Sequence, residues 1–126
     1  MTEEDLLTKH KDVLALRGYN GFNCWEGWYE IIDHMLQTIS NSVRRTGDIN
    51  VVQIKEKFGM LRVYTETYDS YTQGIIDMAE TLSKYTCERC GKPGEMRTDL
   101  GWHKALCLNH YSCRKLELAV QKEKDK

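Results

Sequence analysis

Apolar positions along the chain recur with two different periods, and the changes of period mark out the elements. Trp25, Trp28, Ile32, Met35, Leu36, Ile39 and Val43 follow steps of three and four, with Glu26, Glu30, Asp33 and Gln37 on the opposite side. This pattern predicts an amphipathic helix that ends between Ser42 and Gly47. Upstream, Thr2 with Asp5 three residues on is an approximate capping box. It predicts a first helix with Leu6, Leu7, Val13, Leu14 and Leu16 on its apolar side and Gly18 as its stop. Tyr19 to Asn23 is a turn by composition.

The period then changes to two. Val52 and Ile54 alternate with Val51, Gln53 and Lys55, while Leu61, Val63 and Thr65 alternate with Met60, Arg62, Tyr64 and Glu66. Joined by Glu56-Lys57-Phe58-Gly59, these runs predict a β-hairpin with Gly59 in the left-handed position. A third helix is predicted after Asp69 or Ser70, with Ile75, Met78, Ala79, Leu82 and Tyr85 as its buried stripe. A last helix starts near Leu108 and carries Leu116, Leu118 and Ala119 or Val120. Two strands alone are marginal in water. The hairpin must therefore pack on helices or gain a third strand, for which Glu95–Thr98 and Trp102–Leu106 are candidates. The fold class expected is α+β, with helices on a short antiparallel hairpin and a metal-binding module at the C-terminus. Residues 1–85 would form the helical and hairpin part and 86–126 the metal segment with the last helix, together one compact unit.

Composition narrows the class. Among 126 residues, 40% are hydrophobic and 29% charged, ordinary for a globular protein. No apolar run approaches the roughly 18 residues that span a bilayer. The start, Met-Thr-Glu-Glu-Asp, has no apolar core of a secretory signal. The expectation is a cytoplasmic protein that engages no membrane. The net charge of -1 conceals an asymmetry. Residues 1–83 hold 8 Lys/Arg against 13 Asp/Glu, and residues 84–126 hold 10 against 6. The C-terminal part is mildly basic, which suits either a solvated surface or a contact with phosphate.

Five cysteines in a reducing compartment favour metal ligation over disulfides. Cys87 and Cys90 form C-x2-C; after a gap of sixteen residues, Cys107 and His110 form C-x2-H. That is the spacing of a structural zinc site built from two knuckles. Gly91 follows the first knuckle, where the turn needs positive φ. One zinc held by three cysteines and a histidine has every position filled by protein, which argues against a zinc enzyme. Cys113, three residues after His110, is the alternative fourth ligand. Cys24 reads as a small core residue. The His-x-Glu pair of zinc deaminases and the H-E-x-x-H of metalloproteases are absent. His103 near the knuckles leaves a zinc-supported nuclease as a third reading, without the further metal-binding residues it would need.

The aromatics Phe22, Trp25, Trp28 and Tyr29, and the tyrosines Tyr64, Tyr68 and Tyr71, read first as packing and second as stacking platforms for bases. Lys57, Phe58 and Arg62 at the hairpin tip, with Arg89, Lys92 and Arg97 in the metal segment, are the candidate interaction residues. A rigid ribbon and a metal-pinned loop present side chains at low entropic cost.

Several strings are specific when taken together: Gly27-Trp28-Tyr29-Glu30-Ile31-Ile32; Lys55-Glu56-Lys57-Phe58-Gly59 with Leu61-Arg62-Val63-Tyr64; Thr86-Cys87-Glu88 with Cys90-Gly91 and Pro93-Gly94; Gly101-Trp102; and Leu106-Cys107 with His110. Over about residues 22–112 the chain resembles a family of small zinc-knuckle proteins encoded by tailed phages and prophages, a family without an assigned activity. The resemblance implies a zinc and a phage context but no catalytic residues. It implies a non-enzymatic accessory protein that binds a host protein, as an inhibitor of a defence system or another host factor. The alternative is a small nucleic-acid-binding protein that uses the basic segment and the hairpin.

Overall fold

The structure, a computed structural model, describes residues 1–17, 21–46, 49–67 and 69–125, with 43–46 described by backbone alone. Gly18, Tyr19, Asn20, Gly47 and Tyr68, and the side chain of Val43, lie outside that description. The fold is α+β. In chain order it has α1 (Glu3–Lys9), a 3-10 turn (Glu26–Trp28) leading into α2 (Tyr29–Thr46), strands β1 (Val51–Lys57) and β2 (Met60–Thr65), α3 (Ser70–Ser83), strands β3 (Glu95–Arg97) and β4 (Lys104–Leu106), and α4 (Leu108–Lys124).

The capping box holds: Thr2 accepts from Asp5 N–H, and Asp5 accepts from Thr2 N–H. The first helix is shorter than expected and stops at Lys9. Val13 to Arg17 leave the helix and pair with β1, with Val51 N–H donating to Val13 O and Ala15 N–H to Val51 O. Their apolar spacing suits a helix, but the open edge of β1 offers partners. Asn23 continues the cover, donating to Ile54 O and accepting from Glu56 N–H. No third strand forms among the described residues; the edge of β1 is covered instead by an upstream segment through isolated parallel bridges at Leu14 and Asn23. Glu95–Arg97 and Lys104–Leu106 instead pair antiparallel with each other.

β1 and β2 are antiparallel, with Lys57 opposite Met60 and a bulge between Val51 and Gln53. The turn is tighter than the four residues expected. Phe58 and Gly59 alone occupy it, both at positive φ (54° and 80°). That is the two-residue hairpin turn whose twist matches its strands.

Trp28, Ile32, Met35, Leu36 and Ile39 are buried as expected and pack with Leu6, Val13, Val51, Ile54 and Leu61 in the main core. Trp25 instead lies outside, 54% exposed. It precedes the helix as its N-cap in extended conformation, so the helical period does not reach it.

The expected stripe of α3 is rotated. Thr72, Ile76, Ala79 and Ser83 face inward, while Met78, Leu82 and Tyr85 are exposed and Ile75 is half-buried. The reason lies in β2. Its outer edge carries unpaired N–H groups, and α3 covers them: Ser83 Oγ accepts from Leu61 N–H at 2.9 Å and Glu80 Oε2 from Val63 N–H at 3.1 Å. An inward face that must supply acceptors and lie close to a strand edge is made of small and polar residues. Ile75, Met78 and Leu82 line an open groove of about 800 Å³ between α2 and α3.

Candidate metal centre

α3 delivers the chain directly into the first knuckle. Cys87 N–H donates to Lys92 O at 2.8 Å, and Gly91 N–H donates back to Cys87 O at 2.9 Å. The turn closes because Gly91 sits at φ 80°, a conformation a side chain resists. The β3–β4 ribbon then carries the chain round to the second knuckle. Cys107 is the N-cap of α4, with its sulfur accepting from His110 N–H at 3.5 Å, so His110 stands in the first turn.

These turns bring Cys87, Cys90, Cys107 and His110 together, with all four ligand atoms within 4.8 Å of one another. Cys90 Sγ is 3.8 Å from Cys107 Sγ, and His110 Nδ1 is 3.5 Å from Cys87 Sγ and 3.2 Å from Cys107 Sγ. Around an ion with bonds of about 2.3 Å to sulfur and about 2.0–2.1 Å to nitrogen, the edges of a tetrahedron are roughly 3.8 Å and roughly 3.5 Å. These three edges are near tetrahedral values, and the four donors are positioned to hold one metal ion. The Cys107 thiol is pulled down to about 6, chiefly by the backbone hydrogen bond from His110, which favours the thiolate a metal binds. Cys113 lies outside this group and is exposed one turn further along α4. Cys24, far from the centre, is half-buried against the main core, and burial pushes its thiol up to about 12.

The centre is tied to the rest of the protein. Gly27 N–H donates to Glu88 O at 2.6 Å, Glu88 N–H to Ala105 O at 2.9 Å, and the Trp28 indole Nε1–H to Thr86 O at 3.0 Å. Ala105 belongs to the main core, while Cys87, Leu100 and Leu106 form a small second one with Tyr111 and Leu118 against it. Segments 1–85 and 86–126 are thus interlocked through the start of α2.

The candidate interaction residues divide into two sets. Phe58 at the hairpin tip stacks on Trp102 at the turn of the β3–β4 ribbon, with ring centroids 6.2 Å apart. Both rings are more than half exposed, and Lys57 Nζ lies 5.7 Å from the Phe58 ring. Lys92 is exposed. The three arginines have partners within the chain. Arg62 is 3.9 Å from Glu80, and Arg89 is 3.8 Å from Glu117 and stacks on Trp25. Arg97 is largely covered, bonded to Leu106 O and stacked on Tyr111 at 4.4 Å, so it braces α4 on the ribbon. Trp102 was not among the expected residues. Its signal is Gly101, whose φ of 79° turns the indole out at the ribbon's end.

Compared with protein-family models, with curated proteins and with solved structures, the chain matches none. Among the described residues, no helix is long and apolar enough to cross a membrane.

Proposed function

We propose that this chain is a zinc-stapled, non-catalytic interaction protein of phage origin that binds a protein of its bacterial host. Three thiolates and an imidazole in a tetrahedral set suit zinc above the hard cations. A zinc enclosed by four protein ligands supplies folding energy and leaves no position for substrate. The resemblance of the motif strings to phage-encoded proteins supports a partner in the bacterial host, as a defence component or another host factor.

The observation that carries the interaction reading is the Phe58–Trp102 stack. Two elements far apart in sequence converge to place a pair of rings in solvent at 57% and 56% exposure. Paired aromatic anchors in solvent beside a cation are typical of interface hot spots. The hairpin tip is held there rigidly, because Gly59 lies so close to the ribbon that a Cβ would come within 2.6 Å of Met96 Sδ and 2.9 Å of the His103 backbone.

The same rings with Lys57 favour a second reading, a stacking platform for unpaired bases. Against it, Arg62, Arg89 and Arg97 lie beside carboxylates of this chain, which phosphate would have to displace. The test is affinity capture from host lysate with wild type and with the Phe58→Ala/Trp102→Ala double variant. The partner should be captured by the first and lost with the second, while the melting temperature falls by only about 2–6 °C, the worth of one exposed aromatic pair. Undiminished capture by the double variant would overturn the assignment of the surface. A salt series separates partner classes, since nucleic acid weakens with a steep log–log slope as counterions are released.

A further inference from the structure

Beside the metal centre, on the side of the 3-10 turn, lies a cavity of about 450 Å³ that the reading above does not use. Trp25 and Tyr29 form its aromatic boundary, and Glu26, Glu56, Glu88 and Lys104 border it. Glu88 is 2% exposed. Its Oε2 accepts from Trp25 N–H at 3.0 Å, but its Oε1 is buried with no hydrogen-bond partner among the described residues. A buried carboxylate oxygen left without a donor is costly. Here it is also held in place, because the Glu88 backbone is bonded on both sides, to Gly27 and to Ala105. Glu56 is fixed too, by Gly59 N–H donating to its Oε1 at 2.8 Å.

We propose that this cavity is a binding site for a guanidinium group, as presented by an arginine side chain of a protein partner. The lining carries three carboxyl groups, Glu26, Glu56 and Glu88, against Lys104, with Arg89 on the Trp25 ring at its border. A bare metal ion does not fit. Among the described residues, only the Cys87, Cys90, Cys107 and His110 group brings ligand atoms close enough to hold one. Spread carboxylates beside aromatic rings instead match a planar cation with several donors, which bonds at its edge and stacks on its face. The chain already shows the second contact, with Arg89 stacked on Trp25 at 4.9 Å.

The site is separate from the hairpin tip, so its test does not depend on the partner of that surface. The probe is N-acetyl-L-arginine amide, titrated into the metal-loaded full chain and followed by the NMR shifts of the three tryptophan indole N–H groups. The Trp25 signal should move saturably while the Trp102 signal stays, and N-acetyl-L-citrulline amide, which keeps the shape without the charge, should bind at least fivefold more weakly. Glu56→Gln, which preserves an acceptor for Gly59 N–H, should weaken the arginine probe at least fivefold, and Glu30→Gln, an exposed carboxylate outside the cavity, should not. Glu88→Gln should act like Glu56→Gln if it folds; the Glu56 variant decides the matter if it does not. No saturable shift at Trp25, equal binding of citrulline amide or of N-acetyl-L-lysine amide, or unchanged affinity in Glu56→Gln would overturn the proposal.

Discussion

Trp28 joins the main core to the metal centre, and truncating it tests both links at once. Its side chain is fully buried, and its indole N–H donates to Thr86 O next to the first metal-ligating cysteine. Deleting a buried tryptophan costs about 3–5 kcal/mol, and the lost hydrogen bond places Trp28→Ala in the upper half of that range. Trp28→Phe separates the contributions. It forfeits about 1 kcal/mol for the bond and leaves a void of roughly 40 Å³, worth about 1 kcal/mol at about 24 cal/mol per Å³. At about 2.1 cal/mol/K of unfolding entropy per residue, each kcal/mol lowers the melting temperature of a chain this size by about 4 °C. Metal-loaded Trp28→Ala should therefore melt about 15–20 °C below wild type and Trp28→Phe about 8 °C below, in scans followed by circular dichroism. A Trp28→Ala variant that melts within about 3 °C of wild type would refute the burial and the role of this side chain.

Three further perturbations follow from particular contacts. Gly27→Ala puts a methyl well inside 3.0 Å of the Cys87 and Glu88 backbone, which cannot move aside, and should cost about 3 kcal/mol or more by urea denaturation; Gly74→Ala, with open space around it in α3, should gain about 0.5–1 kcal/mol. Asp33 Oδ1 lies 2.7 Å from buried His10 Nε2, and that bond, with Lys9, holds its carboxyl below its ordinary 3.8. A depressed folded value means the contribution is present above about pH 4 and is lost as pH falls through the lowered value, so Asp33→Asn should cost about 1–3 kcal/mol at pH 7 and progressively less in acid. Cys90→Ser and His110→Ala should lose metal and melt lower, whereas Cys113→Ala should retain the metal; loss of metal in Cys113→Ala alone would move the fourth ligand there.

The metal centre was legible because ligand spacing survives translation into geometry. C-x2-C and C-x2-H are each one turn, and a turn leaves little freedom. The α2 core and the hairpin were legible for the same reason, since Ile32, Leu36 and Ile39, and Ile54 with Leu61, meet their partners at the period of their own element. What was not legible depended on a distant segment. Val13 to Arg17 leave the helical period because the edge of β1 needs partners. Ser83 and Glu80 face inward because the edge of β2 needs acceptors, so Met78 and Leu82 turn outward although they are the more apolar residues. The Phe58–Trp102 pair and the orphaned oxygen of Glu88 likewise arise only where segments some 40 to 60 residues apart in the chain come together.

The central claim is that one structural zinc holds the C-terminal segment against the rest of the fold. Native mass spectrometry of the purified chain, before and after chelation, measures it directly. The account predicts one zinc per chain, and a chelated form whose melting temperature is lower and recovers on adding zinc. A folded, monodisperse chain that carries no zinc and melts at the same temperature with and without chelator would contradict it.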